Sequence, residues 1–407
     1  MPALAKMKHT LRPPGRQARP PISTRPPAAI RAAGTRGSDS ADVLTARRAY
    51  GILSAMDQKR NIKAVGMLSG GLDSTLATRI LMDQGIDVTP LHIRTGLTYA
   101  RRERLTGRGP ASPSRAEQAA QMLGLELVTI DVFEAYIPVI LNPRHGYGSG
   151  MNPCTDCRIF LLRQAKTWME ENDHHFIFTG EVLGQRPNSQ MRSSLQAVER
   201  ESGLEGMLLR PLSAKLLEPT IPEKRGWVDR ERLYGISGRS RKPQIALAER
   251  LGITEYAQPA GGSCFLVDES YSRRLRDFLD HEGPQALNSE RAFLLAVGRH
   301  LRLPSGTRVI VGRHEEENGF IATQHAHGVL VTTIDETGPM ALVLGDPTAE
   351  EIEQAGRITA RYSSARDKMT VRIEVRDQRQ GTGIPQVLTV APMELEEIHE
   401  MMVSGGR

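Results

Sequence analysis

The chain has 407 residues, 39% hydrophobic and 25% charged, with a formal net charge of +6. That length leaves room for two or three domains of ~100 to 200 residues. No run of about 18 apolar residues could cross a bilayer as a helix, so no membrane partner is expected. The eight basic residues from Lys6 to Arg36 all precede the first acidic one, Asp39. The remainder is close to neutral, and any nucleic-acid surface must come from local clusters.

Three cysteines, Cys154, Cys157 and Cys264, are too few for the disulfide framework of a secreted protein. With no apolar signal segment at the N-terminus, a reducing, cytoplasmic location is expected. Residues 1–60 are rich in Pro, Arg, Ala and Ser, with Pro-Pro pairs at 13–14, 20–21 and 26–27. They lack the apolar surface to order themselves and read as a disordered basic tail, with Met56 as an alternative start. The paired prolines oppose the amphipathic helix of a transit peptide.

From Asn61 the pattern becomes regular. An apolar run from Ala64 to Leu68, a Gly-rich turn, and a helix with Leu72, Leu76, Ile80 and Leu81 on one side predict strand, loop and helix. Val88 to Ile93 predicts a second strand, and Ser114-Arg115-Ala116-Glu117 has capping-box spacing for a helix ending near Gly124. Strands are predicted over Leu127 to Val132 and His175 to Thr179, with a helix from about Cys157 to Glu171 between them. Such alternation implies a doubly wound parallel α/β sheet over residues 61–185. Residues 186–285, broken by Pro211, Pro219, Pro222 and Pro243, predict a helical substrate-binding region carrying Cys264. Residues 286–407 predict a small α+β domain, with strands over Arg308–Gly312, Gly328–Thr333 and Thr370–Val375 and a helix over Thr348–Tyr362.

Ser69-Gly70-Gly71-Leu72-Asp73-Ser74 stands where a strand hands over to a helix, where backbone N–H groups and the helix dipole hold anionic oxygens. The glycines let phosphates approach the backbone, and Ser69, Ser74 and Thr75 offer hydroxyl donors. A carboxylate there needs an intervening cation or a capping role, so Asp73 is a candidate Mg²⁺ ligand or helix cap. Gly180 and Glu181 follow a strand at the carboxyl edge, where such sheets bind ligands, making Glu181 a candidate for Mg²⁺ or substrate. No Gly-Lys-Ser/Thr follows the glycines, so the loop is not a Walker A motif.

The hexapeptide resembles the SGGxDS signature of the PP-loop ATP pyrophosphatases. The resemblance implies a HUP-like ATP-binding domain and cleavage of ATP to AMP and pyrophosphate, leaving an adenylated intermediate. Cys154 and Cys157 are expected near the positive end of a helix, which should lower their thiol pKa values. Cys264, in Pro259-Ala260-Gly261-Gly262-Ser263-Cys264-Phe265, lies on a loop able to join them. The trio suits either a [4Fe-4S] cluster open at one iron or a persulfide with a resolving thiol; a zinc site lacking its fourth ligand and inert buried cysteines are the plainer alternatives. The NPCxxC segment, Gly238-Arg239-Ser240-Arg241-Lys242-Pro243-Gln244, and the run from Gly262 to Leu279 are similar to the tRNA 2-thiouridylase (MnmA/TrmU) group. This implies a tRNA sulfurtransferase with tRNA and a sulfur donor, a persulfide carrier or sulfide, as partners, and leaves room for a homodimer. An amide or amine ligase of the same fold, or an RNA-binding protein with a vestigial nucleotide site, is the rival reading.

Arg186, Gln190, Arg192, Lys215, Arg239, Arg241 and Lys242 form a candidate set of phosphate contacts. Val297-Gly298-Arg299-His300, Val311-Gly312-Arg313 and Glu317-Asn318 resemble a small domain of RNA- and ribosome-associated proteins. His325-Ala326-His327 is the nearest approach to metal spacing among the eleven histidines.

Overall fold

The computed structural model describes residues 62–98, 113–187, 189–256, 264–379 and 384–403. The expected tail and the Gly-rich part of the Cys264 loop, residues 259–263, lie outside the described residues.

Five parallel strands, β1 (Lys63–Met67), β2 (Asp87–Arg94), β3 (Val128–Asp131), β4 (Phe176–Thr179) and β5 (Leu208–Leu209), form a sheet in the order β3-β2-β1-β4-β5. The order reverses at β1, whose Val65 is paired with Thr89 on one side and Ile177 on the other. Successive β1 residues face opposite sides: Ala64 joins a cluster with Leu72, Leu76 and Phe178, and Val65 joins one with Ile159, Leu162 and Val198. Both faces are covered by helices, as a parallel sheet requires.

Helices α1 (Leu72–Met82), α2 (Arg115–Met122), α3 (Phe133–Leu141) and α4 (Cys154–Glu171) accompany these strands. Ser114 caps α2 through the predicted box: Glu117 N–H donates to Ser114 Oγ at 3.2 Å, and Ser114 N–H to the Glu117 carboxylate. The sheet runs past residue 185, the expected domain edge, because the fully buried pair Leu208-Leu209 adds β5 beside β4. Helix α4 begins at Cys154 rather than Cys157. Asp156 anchors the preceding turn, accepting from Arg144 N–H at 3.1 Å and His145 N–H at 2.9 Å.

The middle region is helical as expected: α5 (Arg192–Ser202), α6 (Ile221–Lys224), α7 (Lys242–Arg250) and α8 (Glu269–Glu282), followed by α9 (Ser289–Leu294). Six antiparallel strands follow: β6 (Arg299–Arg302), β7 (Arg308–Val311), β8 (Gly328–Thr333), β9 (Ala341–Leu344), β10 (Val371–Arg376) and β11 (Gln386–Val390). Their order is β11-β10-β8-β9-β7-β6, and α10 (Glu315–Ala322), α11 (Ala349–Arg361) and α12 (Leu395–Met401) complete the region. Strand alternation again splits the burial. Val309, Val331 and Val343 pack with Ile358 of α11, whereas Ile310, Leu330 and Leu342 pack with Phe265, Phe278 and Phe293. The second set also contains Phe133 and Tyr136 of α3, so the C-terminal sheet shares a core with the cysteine-bearing segments.

The Gly-Arg and Glu-Asn signatures build this region. Gly298 has φ +74° and a Cβ would meet Val311 O at 2.8 Å. Buried Glu317 accepts from Arg313 N–H at 3.0 Å and Arg313 Nε at 3.0 Å, while Asn318 Oδ1 accepts from Met340 N–H at 3.0 Å. His325–His327 forms a single 3₁₀ turn, and His327 faces Glu290 at 3.1 Å. Among the described residues no helix is long and apolar enough to cross a membrane.

Burial raises the Glu317 pKa, but Arg313 and the backbone N–H groups of Arg313 and Gly298 outweigh it and hold the carboxyl at about 2, against an ordinary 4.5. Its contribution is therefore complete above the ordinary carboxylate range and is lost as pH falls through that range toward 2. Glu317→Gln should cost about 1–3 kcal/mol near neutral pH by leaving Arg313 half-satisfied, and the difference from wild type should shrink below pH ~4. Urea unfolding at several pH values measures both; a pH-independent difference would rule out the charge as its source.

Candidate active site

The phosphate loop joins β1 to α1. Gly70 sits at φ +77°, and a Cβ there would strike the backbone of Arg115 at the start of α2. Only glycine fits both the conformation and the approach. Ser74 Oγ and Thr75 Oγ1 donate to Gly71 O at 2.9 and 3.0 Å, and Ser69 Oγ lies 3.3 Å from Ser74 Oγ. Thr75 is 1% exposed, so it braces the first turn from within. Ser69 is exposed and Gly71 half-buried, which leaves the outer loop accessible.

Asp73 stands in the first turn of α1 without capping it. Its Oδ2 accepts from Gln185 Nε2 at 3.0 Å, and its buried Oδ1 has no hydrogen-bond partner among the described residues. Burial raises its pKa, an effect opposed by the Gln185 hydrogen bond and the charges of Arg241 and Arg186. An orphaned carboxylate oxygen beside a phosphate loop fits a hard divalent cation.

Gly180 packs directly on this loop: a Cβ would collide with the backbone of Asp73 and Ser74. Glu181, next in the chain, is 5% exposed and already engaged. One oxygen pairs with Arg158, and the other accepts from Arg210 Nε at 3.0 Å and Thr179 Oγ1 at 3.1 Å. The expected metal or substrate ligand thus holds α4 against the end of β4. Arg158 immediately follows Cys157, and its pKa is lowered to about 10, chiefly by burial and by Arg186.

The two cysteine segments are stitched together by backbone. Met151 N–H donates to Leu266 O at 2.9 Å, Ser272 Oγ to Leu266 O at 3.1 Å, and Phe265 N–H to Leu97 O at 3.0 Å. Cys154 is exposed and accepts from Asn152 Nδ2 at 3.1 Å, whereas Cys157 and Cys264 are half-buried against Tyr136, Phe160 and Phe265. The structure thereby brings all three sulfurs into one electrostatic neighbourhood.

The expectation of a lowered thiol pKa is corrected for Cys157. Burial pushes the Cys157 thiol up, against a hydrogen bond from Tyr136 and the charge of Arg158, and pushes Cys264 up to about 12, with Cys157 and Cys154 adding to the rise. Desolvation outweighs the helix terminus. Three thiols match an iron–sulfur cluster in number and donor type, and a cationic centre would relieve the cost of ionising them, but their spacing here is not that of a formed ligand set. Among the described residues, no His, Cys, Asp or Glu group is arranged to hold a metal ion.

Of the basic candidates, Lys215 is spent on Glu231 at 3.2 Å and Arg192 on Leu216 O at 2.7 Å. Arg186 and Arg241 bear on Asp73, and Gln190 is buried. Arg158, Arg210, Tyr136 and Gln185 were not singled out by sequence reasoning. Gln185 alone carried a signal, its place just beyond the Gly180-Glu181 edge.

Residues 60–215 match the family model described as "Thiamine biosynthesis protein (ThiI)", and residues 298–402 match "NFACT protein RNA binding domain". The chain is 32% identical over 116 residues to the tRNA-specific 2-thiouridylase MnmA of Syntrophotalea carbinolica, covering 26% of this chain and 32% of the relative. It is 25% identical over 221 residues to MnmA 2 of a Thermoanaerobacter species, covering 52% and 57%. It therefore spans 32% and 57% of these relatives' lengths. A solved U34-tRNA thiolase, NcsA from Methanococcus maripaludis with its [4Fe-4S] cluster, aligns at a TM-score of 0.28 and 19% identity, over 58% of this chain and 70% of that one.

Gly180→Ala should push the phosphate loop outward and weaken Mg²⁺–ATP binding at least ~10-fold, about 1.4 kcal/mol. Calorimetric titration checks this, and unchanged affinity would mean that the Gly180 contact does not set the loop. On its loop geometry and the sequence matches, the stretch 60–215 is similar to the ThiI family model and to part of the length of the tRNA 2-thiouridylases.

Proposed function

We propose that this protein is an ATP-dependent tRNA sulfurtransferase, which adenylates a nucleobase carbonyl and exchanges its oxygen for sulfur. One observation carries the reading: an unbroken line of contacts runs from the phosphate loop through Gly180 and Glu181 to Arg158, beside Cys157. Phosphate chemistry and sulfur chemistry are held on one rigid span. The thiouridylase relatives and the NFACT-type region support tRNA as the substrate.

In this reading a uridine or cytidine carbonyl oxygen attacks the α-phosphorus of ATP, and pyrophosphate leaves into the loop of Ser69, Gly70 and Gly71. Asp73, with its unpartnered Oδ1, would hold a Mg²⁺, which when bound supplies charge that neutralises the phosphates. Adenylation matters because a carbonyl oxygen is a poor leaving group and AMP a good one. Cys154, Cys157 and Cys264 would hold a [4Fe-4S] cluster, which when bound supplies an iron free of protein ligands to carry sulfide.

The exposure of Cys154 beside a half-buried Cys157 supports a second route. A persulfide on Cys154 attacks the adenylated carbon through its outer sulfur and AMP departs. A neighbouring thiolate then attacks the Cys154 sulfur, releasing the thiocarbonyl and leaving a disulfide. A ligase of the same fold leaves all three thiols without a task.

The purified protein with bulk tRNA should convert ATP to AMP and pyrophosphate; ADP as the main product would overturn the reading. Asp73→Asn should slow turnover ~100-fold, about 3 kcal/mol of lost metal and phosphate stabilisation. Alanine at any one of the three cysteines should abolish tRNA thiolation while ATP binding persists, with no further loss in the triple variant. About four irons per anaerobically purified chain would select the cluster, and one extra sulfur on Cys154 the persulfide.

A further inference from the structure

Helix α7 lies beyond the stretch matched by the ThiI model, yet two anchors bring its first turn to the phosphate loop. The loop before it is pinned by Gly238 N–H donating to Leu183 O at 2.8 Å, beside a parallel bridge between Leu183 and Ser237. Leu247 and Ala248 of α7 join the cluster of Leu72 and Leu76 of α1.

Polar atoms gather where these anchors meet. Asp73 Oδ1, Arg241 Nε and both amide atoms of Gln244 are buried and without hydrogen-bond partners among the described residues. Gln244 is 0% exposed. A fully enclosed amide with no well-formed hydrogen bond is costly, and an apolar residue of the same shape would pack without that cost. Such an amide is kept for something that enters. Its neighbours define the visitor: the Gln244 amide lies close enough to Asp73 to donate weakly to it, and Arg241 adds its charge, while the Gln244 carbonyl oxygen is left with no partner among the described residues. Carboxylate and amide oxygens suit a hard cation, and amide and guanidinium N–H groups suit phosphate oxygens.

We propose that Gln244 and Arg241 form a second wall of the nucleotide site, binding the magnesium-bound polyphosphate together with Asp73. Gln244 offers its carbonyl oxygen to the cation's shell and its amide N–H to the phosphates, and Arg241 adds positive charge. The inference rests on the phosphate-loop reading and extends it to residues outside the signature.

Calorimetric titration of the full chain tests it, using Mg²⁺ with α,β-methylene ATP and, separately, Mg²⁺ with pyrophosphate, alongside melting curves without ligand. Gln244→Met, and Gln244→Leu as a second shape, should weaken both ligands ~10-fold or more. The unligated variants should melt at the wild-type temperature or about 2 °C above it. Unchanged affinity for both ligands overturns the inference. So does a loss confined to the ATP analogue, which would mark Gln244 as a reader of the base, and so does a lowered unligated melting temperature in both variants, which would mark a structural amide. Wild-type protein that binds neither ligand sinks the phosphate-loop reading and this inference with it, whereas wild-type binding with unaffected variants sinks this inference alone.

Discussion

The buried carboxylate of Glu181 is the constraint on which the site depends. Held by Arg158 and Arg210, it joins the end of β4, the first turns of the cysteine helix and the segment after β5. Buried ion pairs add little net stability over well-packed apolar residues, but losing one partner costs about 3–5 kcal/mol. Their value here is positional. Glu181 lies one residue from Gly180, which has no room to move against Asp73 and Ser74, so a displacement of α4 is transmitted to the phosphate loop.

The same span has a dry end and a charged end. At the thiols, aromatic packing dominates, with Tyr136 and Phe160 centroids 5.5 Å apart and Phe265 and Tyr271 5.1 Å apart. At the loop, polar groups dominate, several without internal partners. Desolvation disfavours charge at both Asp73 and Cys264. Each end therefore gains when an oppositely charged species arrives, because Arg241 and Arg186 at the loop and Arg158 at the thiols offset burial only in part.

Local features were legible in the sequence because their causes are local. The strand, Gly-Gly turn and apolar helix face around Ser69 determine one another within twenty residues, and the Ser114 box and the helix pattern from Thr348 mark their helices almost to the residue. The cysteine segments were legible through their motif. What stayed hidden depended on distant partners. Nothing in Gly180-Glu181 announces that Arg158 and Arg210 will consume the carboxylate, and helix-terminus reasoning about the thiols lacked the core that desolvates them. Helix α3, Phe133–Leu141, was not predicted because its run is apolar nearly throughout and holds Pro138, leaving no periodicity to separate helix from strand. The short β5 escaped for a related reason: two leucines carry no pattern.

The core shared by Phe133, Tyr136, Phe265, Phe278, Phe293 and Leu342 bears on how such a chain could be assembled from parts. Two stretches with separate family likenesses suggest beads on a string, exchangeable at a linker. Here the inner face of the C-terminal sheet is the floor beneath the cysteines, so no cut between the parts leaves either with a closed interior. A swap of the RNA-binding-type half would have to bring matching aromatic contours with it. Inheritance at this junction therefore acts on the pair, and the two halves are bound to diverge in step.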